Sequence, residues 1–248
     1  MRSLVLLGTD TGVGKTTLAI GLLRVAANRG LRLAPFKPVE SGTPPSPSPS
    51  DPDSDARCLR EASLLPHLDL DDVSPYRLSR PLAPNLAARL EGRVISTNHI
   101  LSRAARLLEH YPALLIEPAG GLLSPYSRSG TPASLARSLR RHFPLDILLV
   151  TPNRLGAINQ SALAHLALEH FELPCVGVVL VDLTGRPDPS KESNAPEIAE
   201  ATGLPVLGQL PFLGPHPISP STSAAAVREN IDVGPLLSGA LLARTDPP

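Results

Sequence analysis

Aromatic residues are scarce in this chain, at 3% of 248 positions. The core is therefore expected to be built from Leu, Val, Ile and Ala, and a hydrophobic content of 42% is enough to fill one. Net charge is also missing, because 23 Lys and Arg balance 23 Asp and Glu. Without a basic field there is no electrostatic case for nucleic acid or for an anionic membrane surface, although a local cationic site for phosphate stays open. Cysteine is nearly absent. Cys58 and Cys175 stand far apart and make no metal spacing, so a reduced, cytoplasmic protein is expected. None of the seven histidines has metal spacing with another, and no Gly-x-Ser-x-Gly elbow offers a nucleophile. No apolar run approaches the ~20 residues of a membrane span. A phosphate-binding pattern within the first 16 residues argues against a cleavable signal there. Proline is plentiful, at 29 residues, but with 18 glycines it stays below the roughly 25–30% of disordered segments. The prolines read as stiff loops around an ordinary fold.

The most informative stretch is Gly8-Thr9-Asp10-Thr11-Gly12-Val13-Gly14-Lys15-Thr16, which follows the apolar run Leu4–Leu7. A strand, a glycine-rich turn and a helix in that order make an anion cradle. The first N–H groups of the helix point outward and its dipole adds partial positive charge. Lys15 can reach the β- and γ-phosphates of a nucleotide, and the Thr16 hydroxyl can sit on Mg²⁺. The strict pattern has glycine at position 9, where this chain has Thr9.

Short apolar runs alternate with helical patterns. Strands are predicted at Leu4–Leu7, Leu31–Ala34, Ala113–Ile116, Ile147–Val150, Val176–Val181 and Val206–Leu210. Helices are predicted near Thr17–Asn28, Ile100–His110, Ser134–Arg141, Ala157–Phe171 and Glu197–Thr202. The alternation implies an α/β fold, a parallel sheet with helices on both faces, in a single domain over 1–248 with a frayed tail after about 245. Thr43–Asp53 reads as a stiff surface loop, and Ser63–Ala83 has no clear assignment. Ligands of such sheets bind beyond the carboxyl ends of the strands.

Three residues there carry chemistry. Lys37 follows the second strand within Phe-Lys-Pro-Val-Glu-Ser-Gly and either holds an anion against a γ-phosphate or is a solvated strand-end lysine. Glu117 closes Ala-Leu-Leu-Ile-Glu, where a Mg²⁺-handling acid belongs, or caps the strand. Asp55 is either a second acidic ligand or the first residue of a helix.

Taken together, these segments resemble the dethiobiotin synthetase family, of the P-loop fold. Gly-Thr-Asp-Thr-x-Val-Gly-Lys-Thr is that family's form of the loop and accounts for Thr9. Lys37-Pro38-Val39 with Ser41-Gly42 matches its Lys-Pro-Val-x-Ser-Gly, and Asp53-Ser54-Asp55-Ala56 its acidic segment. Pro81–Ala88, Leu155–Asn159 and Gly208–Leu213 are supporting matches, so the resemblance spans about residues 8 to 213.

The resemblance implies an ATP-dependent cyclo-ligase of biotin biosynthesis. It acts on 7,8-diaminopelargonic acid and CO₂ or bicarbonate, with Mg²⁺, in a cytoplasmic homodimer whose substrate site lies at the interface. Lys15 and Lys37 are then catalytic. Thr16, Asp55 and Glu117 hold the metal. Gly12, Val13, Gly14, Lys15, Thr16, Thr17, Asp55, Glu117, Pro118, Ala119, Gly120, Val181, Asp182, Pro211, Phe212 and Leu213 bind nucleotide. Thr11, Lys37, Ser41, Gly156, Asn159 and Asn194 bind substrate. The start of the helix after Leu155 would hold the distant carboxylate of substrate in the partner subunit.

Three positions depart from the pattern. Gly12 stands where many members carry glutamate, and Pro118 replaces the first glycine of Glu-Gly-Ala-Gly-Gly. Val181 precedes Asp182 where the family has Asn-Asp, and valine cannot hydrogen-bond a purine edge. Competing readings are a partitioning-type switch ATPase, another ligase of the same fold, and a nucleotide-binding relative without synthetase activity. The first expects an early lysine in the loop where this chain has Asp10.

Overall fold

The computed structural model describes residues 2–43, 54–215 and 218–241. Six strands form one parallel sheet: β1 (Ser3–Gly8), β2 (Leu33–Phe36), β5 (Ala113–Ile116), β6 (Leu145–Pro152), β7 (Cys175–Val181) and β8 (Val206–Leu210), in the order β2-β5-β1-β6-β7-β8. Two short strands, β3 (Val39–Ser41) and β4 (Tyr76–Leu78), pair separately. The register alternates as a doubly covered sheet demands. Leu4 and Leu6 of β1 pack on one face, and Val5 and Leu7 on the other.

The Leu4 face is covered by α1 (Lys15–Asn28), α9 (Pro220–Asn230) and α10 (Gly234–Leu241). The Val5 face is covered by α5 (Thr97–His110), α6 (Pro132–Arg140), α7 (Ala157–His170) and α8 (Ser190–Thr202). Helix α2 (Asp55–Ser63) lies beside α1, and α3 (Leu70–Val73) and α4 (Pro84–Leu90) complete the rim. The expected α/β sheet with helices on both faces is what the chain forms, and aliphatic side chains dominate its core.

Several boundaries differ from expectation, each for a local reason. The second strand is Leu33–Phe36, two residues later than the apolar run suggested. It runs through Pro35, which a strand tolerates at a sheet edge, and β2 is an edge strand. Helix α8 begins at Ser190, not Glu197, and contains Pro196. Ser63–Ala83 holds α3 and β4, both too short to show a period. Of Thr43–Asp53 only Thr43 is described, and the tail beyond 241 lies outside the described residues.

Candidate active site

The carboxyl ends of β1, β2, β5, β7 and β8 open into one cleft of roughly 510 Å³. Its floor is the turn from β1 to α1. Gly14 has φ 89°, and a Cβ there would lie 2.6 Å from Val181 Cγ1, so only glycine fits. A Cβ on Gly8 would lie 2.8 Å from Lys15 Nζ. Helix α1 has no side-chain cap and no acidic residue in its first turn. Its leading N–H groups lack intrahelical partners, the arrangement that takes up phosphate. Val13 does not line the cleft. Its apolar side chain is buried in the core and anchors the loop, so any contact of Val13 with a nucleotide falls to its backbone N–H.

Lys15 crosses the floor and donates to Gly120 O at 2.8 Å and Asp10 O at 3.3 Å. Burial pushes its ammonium down to about 8, aided by the charge of Lys37 and opposed by Glu117, Asp55 and Asp10. The second cation arrives from the end of β2, which β5 separates from β1. Lys37 follows β2 directly, and its N–H donates to Val73 O at 2.8 Å, so the unassigned segment pins it. Lys37 Nζ donates to Glu117 Oε1 at 2.8 Å and pairs with Asp55 Oδ2. Burial alone would lower this ammonium, but Asp55, then Glu117 and Glu40, outweigh it and hold the group above its ordinary value. A solvated lysine is thereby excluded, since Lys37 is 4% exposed.

Glu117 is fixed by its own N–H, which donates to Phe36 O at 2.9 Å. Oε1 also accepts from Thr16 Oγ1 at 2.7 Å, while Oε2 is buried and has no partner. Asp55 fits the helix reading and adds an ion pair. It opens α2 after the N-cap Ser54, and its carboxylate meets Lys37. Thr16, Asp55 and the orphaned Glu117 oxygen suit Mg²⁺, which takes one or two carboxylates and fills its octahedron with phosphate oxygens and water. Among the described residues no group of three or more His, Cys, Asp or Glu is gathered to hold a metal ion, here or elsewhere, so an ion at this site would depend on the Thr16 hydroxyl, phosphate oxygens and water as well.

The opposite flank is less polar. Val181 is buried against Gly14, and Pro211, Phe212 and Leu213 line the wall, with Phe212 40% exposed. Asp182 also lines the cleft, and its carboxylate is engaged in a local network, accepting from the N–H groups of Thr184 and Gly185 and pairing with Lys191 at 2.7 Å. Slight desolvation raises its carboxyl, but the Lys191 hydrogen bond and these N–H groups outweigh it and hold the group below its usual range.

Thr11, Gly12, Thr17, Ser41, Pro118, Ala119 and Gly120 complete the expected lining. Asn194 does not join it. Its amide is buried and donates to Asn153 Oδ1 at 2.8 Å and Arg154 O at 3.1 Å, and these hydrogen bonds hold the loop after β6. Gly156 and Asn159 lie at the exposed start of α7, outside this cleft. Glu40, Leu183, Gly214, Pro215 and Ile218 line it without having been foreseen. Glu40 fills the variable position of Lys-Pro-Val-x-Ser-Gly, and a charged residue flanked by strand-forming ones was the available signal.

A family model described as "AAA domain" matches residues 2–216. An ATP-dependent dethiobiotin synthetase from Anaeromyxobacter dehalogenans (strain 2CP-1 / ATCC BAA-258) is 42% identical over 212 residues, covering 86% of this chain and 91% of that protein. The chain belongs to the dethiobiotin synthetase family. A second member of the family, from Bacillus subtilis (strain 168), is 29% identical and covers 96% of this chain and 98% of its own. Two solved structures share the fold at low identity. MinD within a MinC:MinD cell division complex from Aquifex aeolicus has a TM-score of 0.52 at 15% identity, covering 91% and 86%. A ParA family ATPase from Chlorobium tepidum TLS has 0.51 at 13%, covering 98% and 96%. That likeness to partitioning-type ATPases is one of fold alone; the sequence relatives are synthetases.

Proposed function

We propose that the chain makes dethiobiotin from 7,8-diaminopelargonic acid, CO₂ and ATP. One amine takes up CO₂ as a carbamate and loses a proton. The carbamate oxygen attacks the γ-phosphorus, its bond to the β-γ bridging oxygen breaks, and ADP leaves. The second amine then attacks the carbonyl carbon of the mixed anhydride, the C–O bond breaks, and the ureido ring closes as phosphate departs and the attacking nitrogen releases one proton to solvent or to the departing phosphate.

The observation that carries this reading is the placement of Lys37 Nζ between Asp55 and Glu117, in the cleft floored by Lys15 and Thr16. Two ammonium groups, one after β1 and one after β2, face one space, near enough that the charge of Lys37 lowers the pKa of Lys15. Lys15 spreads charge that builds on the γ-phosphoryl oxygens. Lys37 holds the carbamate anion in line with phosphorus, a gain of orientation as much as of charge. Ser41 and Thr11 contact the substrate. Thr16, Asp55 and Glu117 hold Mg²⁺, which when bound supplies further positive charge to the triphosphate. The base lies along Val181, Pro211, Phe212 and Leu213.

A homodimer completes the site. Helix α7 carries Leu163 and Leu166 at 58% and 60% exposure, with Leu155 before it at 77%, while its Ala157, Ala164 and Leu168 face the core. A helix apolar on both sides suits a position between two bodies. The start of α7, with Gly156 and Asn159, would then face the substrate's far carboxylate in the partner. No described helix is long and apolar enough to cross a membrane, and we assign the enzyme to the cytoplasm.

Incubation with diaminopelargonic acid, bicarbonate, Mg²⁺ and ATP, followed by mass detection of dethiobiotin, tests the activity. Lys37→Ala is expected to bind nucleotide and yield no product. Normal turnover by that variant overturns the role given to Lys37, and ATP binding by the native chain without product overturns the reaction.

A further inference from the structure

We propose that Glu40 is a positioning residue for the reacting end of the site, a carboxylate that clamps the start of α2 so that Asp55 is presented to Lys37. This rests on the reading of the Lys37 end given above.

Glu40 is 4% exposed and sits in the middle of β3, three residues after Lys37. Its two oxygens are spent on the first turn of α2. Oε1 accepts from Asp55 N at 2.6 Å, and Oε2 accepts from Ser54 Oγ at 3.2 Å and Ala56 N at 3.4 Å. Helix α2 already has its own N-cap, since Ser54 Oγ accepts from Arg57 N at 3.4 Å. Glu40 therefore serves a different end. It takes N–H groups that Ser54 does not reach, and it ties α2 to the strand that continues from Lys37. A carboxylate at a helix N-terminus also meets the positive end of the helix dipole.

The consequence is geometric. Asp55 belongs to α2 and Lys37 follows β2, two elements that pack together and meet here through the ion pair. Asp55 is 39% exposed at its side chain, so packing does little to orient it. The short hydrogen bond at its own N–H is what sets its backbone. Glu40 thus acts on the reaction through Asp55, as an outer residue orients an inner one.

The test is a double-mutant cycle in the full chain, reading kcat, KM for ATP and the Mg²⁺ concentration for half-maximal rate, with thermal unfolding as a control. Glu40→Ala is expected to lower kcat about 10–100-fold and to raise the Mg²⁺ requirement. In an Asp55→Ala background the same change should cost less than about twofold, because its target is gone. Glu40→Gln keeps an oxygen for Asp55 N–H and should retain most of the rate. Glu40→Asp keeps the charge but is one methylene short, and should lose it. If Glu40→Ala does not fold, Glu40→Asp takes its place in the cycle. Wild-type kinetics in Glu40→Ala, or in the Glu40→Asp variant used instead, would overturn the proposal. So would equal losses with and without Asp55, or a Gln variant as poor as Asp. Lys37→Ala with unchanged turnover would instead sink the reading of the reacting end itself.

Discussion

Glu117 divides its oxygens between two tasks. One accepts from Lys37 and Thr16, and the other is buried without a partner. A carboxylate held that way depends on the cation beside it. Lys37→Met is expected to destabilise the unliganded fold by about 3 kcal/mol, the scale of a buried charge left uncompensated. Added Mg²⁺ should recover part of that loss in urea unfolding; absence of any protection would count against the ion site. Lys15 predicts a pH dependence of opposite sign for binding and folding. Its proton is lost in the free enzyme near pH 8, so ATP affinity should fall up to tenfold per unit above that, read by titration calorimetry. The unfolded chain keeps that proton to about 10.4. It therefore binds more protons than the fold between these values, and Lys15 makes folding stability rise with pH across that window. Lys37, held above its ordinary value, stays charged in the fold and adds no slope until pH nears the unfolded lysine value of about 10.4, where it begins to oppose the rise. Val181 predicts loose base selectivity, because the strand end offers methyl groups where a side-chain amide would read a purine. Rates with ATP, GTP and CTP should lie within about tenfold, as expected when one hydrogen bond of about 1.4 kcal/mol is missing. A strong preference for ATP alone would refute this.

At the scale of elements, the β1–α1 turn tolerates little change. Gly14→Ala forces a side chain into both a left-handed backbone and Val181, and should cost about 1–3 kcal/mol along with nucleotide binding, measured by thermal unfolding and ATP titration. This turn was legible because its glycines, lysine and threonine carry their chemistry in a fixed local order. Lys37, Asp55 and Glu117 were visible as residues after strands or before a helix, but their convergence is a property of strand order, which no local pattern states. Glu40 was missed for the same reason. Its partners are fifteen residues away in sequence, and its function is to connect two elements. Asn194 shows the reverse case, a polar residue near the right strand end whose hydrogen bonds close a loop. The prolines misled at boundaries, since Pro35 ends an apolar run without ending a strand, and Pro196 lies within a helix.

For the molecule as a whole, the two-sided sheet followed from alternating runs of aliphatic residues, whereas an apolar surface on α7 points beyond the single chain. Leu163→Glu with Leu166→Glu should shift a dimer to monomers in sedimentation velocity and reduce synthesis more than ATP binding. A variant that stays dimeric would place the contact elsewhere. The strand order has one further consequence. Because β1 lies between β5 on one side and β6 and β7 on the other, a triphosphate held at the β1–α1 turn would rest on a central divide. Lys37, Asp55 and Glu117 occupy one bank, and Val181, Asp182 and Phe212 the other. Drift in the choice of nucleobase can therefore proceed on its own bank, leaving the bond-making apparatus across the divide untouched.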